Sequence, residues 1–208
     1  MTTRTSPRDH VPDTAHTALL LVDVINDFEF AGGENLLRYA LPAARRIMRM
    51  KQAMSARGIP TIYANDNFGR WKSDFRDVLE HCLSSEVRGR PVAELLQPGP
   101  DDYFVLKPKH SAFFATTLDT LLRYLGAKQL ILAGFAGDMC VLFSANDAYM
   151  RDFALRVPAD CTASESQARN RMALRFLHDV LGVDVSPSRD LERASLETDC
   201  RSPSLVRV

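Results

Sequence analysis

The sequence predicts a single α/β domain in which helices cover both faces of a parallel β-sheet. Nearly all-apolar runs alternate along the chain with segments of helical periodicity, as in repeated strand–helix–strand units. The run TALLLVDV, residues 17–24, shows no polar alternation, which is typical of a strand that is buried on both faces. A chain of 208 residues is also long enough to bury one sizeable core.

Further strands and helices follow this first strand in alternation. The remaining predicted strands are residues 60–65, 103–107, 128–135, 153–159 and 182–186. The predicted helices are residues 40–57, 116–125, 140–151 and 165–181. Gly58 and Gly126 mark two helix ends, and Thr116 with Asp119 resembles a capping box. Residues 66–102 are rich in Gly and Pro, so we expect a functional loop with short helices there.

Polar segments flank this alternating region at both ends of the chain. We expect a flexible N-terminal tail over residues 1–16, the folded domain over residues 17–186, and a loosely ordered polar tail over residues 187–208. The first sixteen residues contain no apolar stretch, so they do not resemble a secretory signal.

Composition and charge exclude several classes of partner. The chain has 26 Lys and Arg residues and 26 Asp and Glu residues, so nothing favours binding to nucleic acid or to an anionic membrane. No apolar run reaches the length of a transmembrane helix. The four cysteines are widely spaced and form neither a C-x-x-C pair nor a zinc pattern. We therefore expect a reduced, cytoplasmic protein whose partner is a small-molecule substrate.

Three reactive side chains follow or end predicted strands. Asp23 lies near the end of the first strand, Lys107 ends the third, and Cys140 follows the fourth. Ligands of open parallel sheets bind outside the carboxyl ends of the strands, so we expect these residues to meet. A helix start and a nearby ammonium group would both lower the pKa of the Cys140 thiol.

Each of these residues also has a structural interpretation that the spacing leaves open. Cys140 could be a small buried core residue. Asp23 could be a hydrogen-bonded carboxylate that caps a neighbouring loop, because an unpaired buried carboxylate is costly. Lys107 could be an exposed strand-end lysine, and Lys109 competes with it for the same role.

Three segments together resemble the isochorismatase-like cysteine hydrolase superfamily, which includes nicotinamidases and N-carbamoylsarcosine amidases. In chain order they are LLLVDVINDF, LKPKHSAFFATTLDTLLRYLGAKQLILAGF and GFAGDMCV. The resemblance covers residues 17–186 and implies a three-layer α/β/α sandwich with a six-stranded parallel sheet. It implies that Asp23, Lys107 (rather than Lys109) and Cys140 are the catalytic residues.

The resemblance also implies a reaction and further features of the site. We expect hydrolysis of a small amide or ureido C–N bond through a Cys140 thioester, without a metal or organic cofactor. The backbone N–H groups of Ala136 and Cys140 would form the oxyanion hole, and the Phe135–Ala136 peptide bond would be cis. Relatives commonly assemble, so a homo-oligomer is expected.

Departures from the family pattern limit the substrate. Many relatives have Gln where this chain has Ile25. Nicotinamidases carry an Asp-and-His metal site after the second strand, whereas NDNFGRWKSDF, residues 65–75, has no histidine. Neither a metal site nor nicotinamide as substrate is therefore expected. Isochorismatases that cleave a vinyl ether lack the nucleophile, so Cys140 argues against that reaction.

Five side chains near the motifs are candidate substrate contacts: Phe28, Asp66, Asn67, Trp71 and Phe113. For the two phenylalanines the alternative is core packing, and for Asp66 and Asn67 it is turn formation. Trp71 is the sole tryptophan and lies in the long loop.

Other functions remain open from the sequence. A nucleotide- or flavin-binding module is disfavoured, because no G-x-G-x-x-G or P-loop follows a predicted strand. A catalytically silent protein that acts in assembly or binding is possible on this fold, as is an isochorismatase-type hydrolase of another small metabolite. A Cys140–His110 pair is a further alternative, although the resemblance gives His110 no such role.

Overall fold

The computed structural model describes residues 14–66, 74–84 and 86–193. Within these residues, six strands form one sheet in the order β3-β2-β1-β4-β5, and β6 also pairs with β4. All of these pairings are parallel, which confirms the predicted α/β fold. The strands are β1 (Thr17–Val22), β2 (Thr61–Asp66), β3 (Tyr103–Lys107), β4 (Gln129–Phe135), β5 (Ala154–Arg156) and β6 (Thr162–Ala163).

Helices cover both faces of this sheet. They are α1 (Gly33–Ser55), α2 (Phe75–Leu83), α3 (Arg90–Leu95), α4 (Leu118–Leu125), α5 (Leu142–Tyr149), α6 (Gln167–Leu181) and α7 (Ser188–Arg193). One core cluster lies between the sheet and α1, α2, α3 and α7, and a second lies between the sheet and α4, α5 and α6. The three layers are therefore helix, sheet and helix. None of the helices in the described ranges is long and apolar enough to cross a membrane.

The side chains of β1 show why this strand has no polar alternation. Leu19 and Leu21 belong to the first core cluster, whereas Ala18, Leu20 and Val22 belong to the second. All five side chains are fully buried, and burying one leucine contributes about 1.5–3 kcal/mol. Successive residues of the central strand must be apolar because each face of the sheet is covered.

The sixth strand lies elsewhere than the sequence predicts. Residues 182–186 form a single bridge, between Asp184 and Arg156, rather than a strand. The sixth strand is β6, which pairs with Gly134 and Phe135 of β4. β5 pairs with the first three residues of β4 and then ends, so the rest of that edge of β4 is open to β6. This arrangement depends on the unequal lengths of two strands, which periodicity alone does not indicate.

The start of α1 and the cap of α4 also differ from the sequence prediction. α1 begins at Gly33, well before residue 40, because Leu36 extends its buried face by a turn. The Thr116 and Asp119 side chains form no capping box. Instead, the Thr116 hydroxyl donates to the Ala112 carbonyl and accepts from the Leu118 N–H.

The predicted polar tail contains a packed helix. α7 lies at Ser188–Arg193, and its Leu191 side chain is buried against α1. The Ser188 hydroxyl and N–H both donate to the Asp160 carboxylate. Residues 188–193 are therefore ordered, contrary to the expectation, because an apolar side chain and a serine anchor them to the domain.

Candidate active site

The carboxyl ends of β1, β3 and β4 bring Asp23, Lys107 and Cys140 together. Asp23 directly follows β1, Lys107 is the last residue of β3, and Cys140 lies in the turn that follows β4. The Lys107 Nζ atom is 2.7 Å from Asp23 Oδ2 and 3.6 Å from Cys140 Sγ. The three residues that the sequence singles out thus meet around one ammonium group.

Asp23 is held in place by hydrogen bonds to both carboxylate oxygens. Its backbone adopts a left-handed conformation with φ of 50°, and its N–H donates to the Ala64 carbonyl at 2.9 Å. The Asp66 N–H donates to Oδ1 at 2.8 Å, while Lys107 contacts Oδ2. Burial raises the pKa of the Asp23 carboxyl, although Lys107 and the hydrogen bonds oppose this effect. Asp23 therefore contacts the neighbouring strand and the reactive cysteine at the same time.

Lys107 is fully buried, so it is not an exposed strand-end lysine. Its Nζ atom also donates to the Lys109 carbonyl at 3.1 Å and lies 4.0 Å from Asp66 Oδ2. Burial alone would lower the pKa of Lys107, but Asp23, Cys140 and Asp66 raise it overall. Lys107 consequently stays charged, and the exposed Lys109 contributes its backbone carbonyl.

The Cys140 thiol has a different acidity from the one that the sequence predicts. Burial raises the pKa of this thiol, the nearby Asp23 carboxylate raises it further, and Lys107 lowers it only in part. A helix start and a lysine lower the pKa of a thiol, but the hydrogen bond between Asp23 and Cys140 links this thiol to a carboxylate as well. The Asp23 carboxyl and the Cys140 thiol contact the same buried ammonium group, so their protonation is coupled.

Cys140 lies in a π-helical turn, Gly137–Val141, rather than at the start of an α-helix. The Ala136 carbonyl accepts from the N–H groups of Met139 and Val141, and the bond from five residues ahead widens the turn. The Phe135–Ala136 peptide bond is cis, at the position that the resemblance implies. The Ser144 hydroxyl donates to the Cys140 carbonyl at 2.6 Å.

Side chains from the β6–α6 region hold the other side of this turn. The Asp138 N–H donates to Ser164 Oγ at 3.1 Å. The buried Asp138 carboxylate accepts from Arg169 Nε at 2.5 Å, and Arg169 also pairs with Glu165. α6 thereby helps to fix the backbone that carries Cys140.

His110 also lies beside Cys140. Its Nδ1 atom is 3.7 Å from Cys140 Sγ, and its ring lies 5.7 Å from the ring of Phe143. His110 is exposed, whereas Asp23 and Lys107 are buried. Its position three residues after Lys107, beyond the strand-ending Pro108, is the sequence signal for this contact.

The structure places the predicted substrate contacts in different environments. Phe28 is fully buried and packs near Phe135, so it has no surface that a ligand could touch. Phe113 is buried against Phe153, which also agrees with core packing rather than with the predicted pocket wall. Asp66 belongs to the site through its contacts with Asp23 and Lys107.

Two of the candidate substrate contacts, Asn67 and Trp71, lie outside the described residues. Among the residues with described positions, no group of three or more His, Cys, Asp and Glu side chains is arranged to hold a metal ion. The reactive groups of the described site are therefore the carboxylate, the ammonium group, the thiol and the nearby imidazole.

The sequence is similar to members of a known protein family. A family model described as an isochorismatase domain matches residues 17–187. An uncharacterized isochorismatase family protein, YaaI of Bacillus subtilis, is 39% identical over 177 residues, which cover 85% of this chain and 97% of YaaI. The phenazine biosynthesis protein PhzD1 of Pseudomonas aeruginosa is 39% identical over 148 residues, covering 69% of this chain and 71% of PhzD1.

Solved structures share the fold. A cysteine hydrolase from Pseudomonas syringae pv. phaseolicola has a TM-score of 0.70 at 23% identity, with 86% of this chain and 91% of that chain covered. An N-carbamoylsarcosine amidase from Thermoplasma acidophilum has a TM-score of 0.64 at 24% identity, with 84% and 97% covered. The nicotinamidase PncA of Bacillus subtilis has a TM-score of 0.63 at 26% identity, with 83% and 99% covered.

Proposed function

Because the chain belongs to the isochorismatase family of hydrolases, we propose that it hydrolyses a small amide or ureido C–N bond through a thioester on Cys140. The observation that carries this proposal is the contact of the Lys107 ammonium group with both the Asp23 carboxylate and the Cys140 sulfur. A nucleophile, a proton acceptor and a fixed positive charge then occupy one site. The similarity to a nicotinamidase supports amides as the substrate class.

Acylation begins with proton transfer from the Cys140 thiol to the Asp23 carboxylate. The sulfur forms a bond with the substrate carbonyl carbon, and the carbonyl electron pair moves onto oxygen. The backbone N–H groups of Ala136 and Cys140 donate hydrogen bonds to this oxyanion. When the carbonyl re-forms, the C–N bond breaks and Asp23 returns its proton to the leaving nitrogen.

Hydrolysis of the thioester uses the same acid and base. Asp23 accepts a proton from a water molecule as the water oxygen bonds to the acyl carbon. The C–S bond then breaks, the carboxylic acid leaves, and the proton returns to the sulfur. Lys107 remains charged throughout and balances the negative charge that moves between Asp23 and Cys140.

The test is a screen of purified protein against primary carboxamides and N-carbamoyl compounds, with ammonia release as the measurement. We expect turnover of at least one compound, and no turnover by Cys140→Ala. The matched control is Cys82→Ala, which removes a buried thiol from α2. Failure of every compound, or turnover by Cys140→Ala near the wild-type rate, would contradict the proposal.

A catalytically silent protein with the same fold is the second candidate. It is favoured by one observation, namely that burial and Asp23 raise the pKa of the Cys140 thiol. Cys140 that iodoacetamide fails to label across the neutral and alkaline range would support this candidate. Labelling of Cys140 ahead of the buried Cys82 and Cys161 would argue against it.

In the alternative Cys140–His110 pair, the imidazole of His110 would be the base that activates the thiol. If His110 activates the thiol, His110→Ala should lose the labelling of Cys140 and all turnover. We expect His110→Ala to keep Cys140 reactive, because the charged groups that contact the sulfur from the buried side are Asp23 and Lys107.

A further inference from the structure

α6 carries a line of exposed apolar side chains. Met172, Phe176 and Val180 are 60%, 42% and 53% exposed, and their spacing of four residues places them along one side of the helix. The core uses another side of α6, where Ala173 and Leu177 are buried. Scattered exposed apolar residues are ordinary, but an aligned set on one helix is typical of an interaction surface.

This stripe, defined as Met172, Phe176 and Val180, is complementary to itself. Phe176 lies at its centre, with one apolar side chain four residues before it and one four residues after it. When two copies of α6 pack antiparallel about a two-fold axis at Phe176, the two Phe176 rings meet. Met172 of each copy then faces Val180 of the other copy.

The charges beside the stripe are complementary in the same arrangement. Arg175 and Asp179 both flank the stripe on one side of α6. The antiparallel two-fold pairing brings Arg175 of each copy close to Asp179 of the other, which gives two reciprocal ion pairs. Within the described part of the chain Arg175 has no ion-pair partner, and the Asp179 side chain, which contacts the adjacent His178, is 66% exposed.

We infer that the chain forms a two-fold homodimer through α6, with the stripe at the centre of the interface and Arg175–Asp179 pairs at its rim. This inference does not depend on the proposed reaction. It bears on the site all the same, because Arg169 near the start of α6 holds Asp138 in the turn that carries Cys140. Dimerisation would therefore support the helix that fixes the nucleophile.

The first test measures the molar mass of the full chain by sedimentation equilibrium. We expect the wild type at twice 23.3 kDa and Phe176→Glu at half the wild-type mass. The matched control is Tyr124→Glu, because Tyr124 is also 42% exposed and lies on α4. A monomeric wild type, or a Phe176→Glu protein that keeps the wild-type mass, would overturn the inference.

The second test checks the antiparallel register of the two α6 helices, and it introduces no charge at position 176. Met172→Cys and Val180→Cys are each combined with Cys200→Ser and oxidised mildly, alone and as an exchanged mixture. We expect a disulfide-linked dimer in the mixture and not in either protein alone. Equal cross-linking of each protein with itself would contradict the antiparallel register.

The third test separates the ion pairs from the apolar contact. Arg175→Asp should weaken dimerisation at least several-fold, and Arg175→Asp combined with Asp179→Arg should restore it. Both side chains are exposed, so the folded state is expected to tolerate these changes. Loss of dimerisation that the double variant fails to restore would overturn the Arg175–Asp179 pairing.

Discussion

Lys107 carries the buried positive charge at the centre of the candidate site. It is the buried cation that contacts both the carboxylate of Asp23 and the sulfur of Cys140. An unpaired buried ion is costly. If the Asp23 carboxylate is removed, Cys140 or Asp66 must therefore supply the negative charge that pairs with Lys107. The acidity of the thiol is thus a property of the group of side chains rather than of the cysteine alone.

Asp23→Asn should make the Cys140 thiol more reactive toward iodoacetamide and at the same time reduce turnover. Removing the carboxylate removes a charge that raises the pKa of the Cys140 thiol, so that pKa should fall as the thiolate becomes the counterion of Lys107. Turnover should fall by roughly 10²- to 10⁴-fold, because the general acid and base is lost. The rate of iodoacetamide labelling of Cys140 against pH measures the first effect.

Lys107→Met should shift the pKa of the Cys140 thiol in the opposite direction in the same labelling experiment. The ammonium group lowers the pKa of the thiol, so its removal should raise that pKa and slow labelling at neutral pH. Shifts in the same direction for Asp23→Asn and Lys107→Met would show that charge does not control the thiol.

At the scale of the elements, the end of β4, which leads into the turn that carries Cys140, pairs with the end of β1. Gly134 has φ of 128°, and a Cβ atom built there would lie 2.0 Å from the Val22 carbonyl oxygen. Val22 directly precedes Asp23, so the close approach of the two strands also sets the distance between the reactive side chains. A side chain at position 134 is incompatible with this approach.

Gly134→Ala should therefore destabilise the protein by at least about 3 kcal/mol, since it combines backbone strain with a backbone clash. Gly126→Ala is the matched control, because Gly126 also has positive φ but has no atom near the added Cβ. The control should cost about 1–2 kcal/mol. Urea unfolding measures both values, and equal losses would show that the contact with Val22 does not matter.

The elements also show which features the sequence could predict. The meeting of Asp23, Lys107 and Cys140 was predictable because Asp23 directly follows β1, Lys107 ends β3 and Cys140 lies in the turn after β4, and parallel strands align their carboxyl ends. The π-helical turn and β6 were not, because they depend on hydrogen bonds from distant segments and on where β5 ends. The raised pKa of Cys140 was missed because it comes from burial and a side chain 117 positions away in sequence.

At the scale of the whole molecule, the domain continues past the boundary that the sequence predicts. α7 packs on α1, and Arg57 near the end of α1 donates to the Leu191 and Glu192 carbonyls. The resemblance and the family model both end near residue 187, so α7 lies beyond the region that they cover. Because α7 is mostly polar, its sequence gives little indication that Leu191 is buried and anchors the helix.

Leu191→Ala tests whether α7 contributes to the stability of the fold. The side chain is 3% exposed, so its truncation should cost about 2–5 kcal/mol in urea unfolding. Met150→Ala, at a largely exposed position, should change the free energy of unfolding by less than about 0.5 kcal/mol. A Leu191→Ala protein as stable as the control would show that α7 is not part of the folded core.

The proposed reaction requires a thioester on Cys140, and trapping that intermediate tests the reaction directly. The protein is mixed with p-nitrophenyl acetate, quenched in acid and analysed by peptide mass spectrometry. We expect acetyl-Cys140 to accumulate in Asp23→Asn, which lacks the base for hydrolysis, while the wild type keeps releasing p-nitrophenol. Absence of the acetyl group from Cys140, or its equal appearance on Cys82 and Cys161, would contradict covalent catalysis at this site.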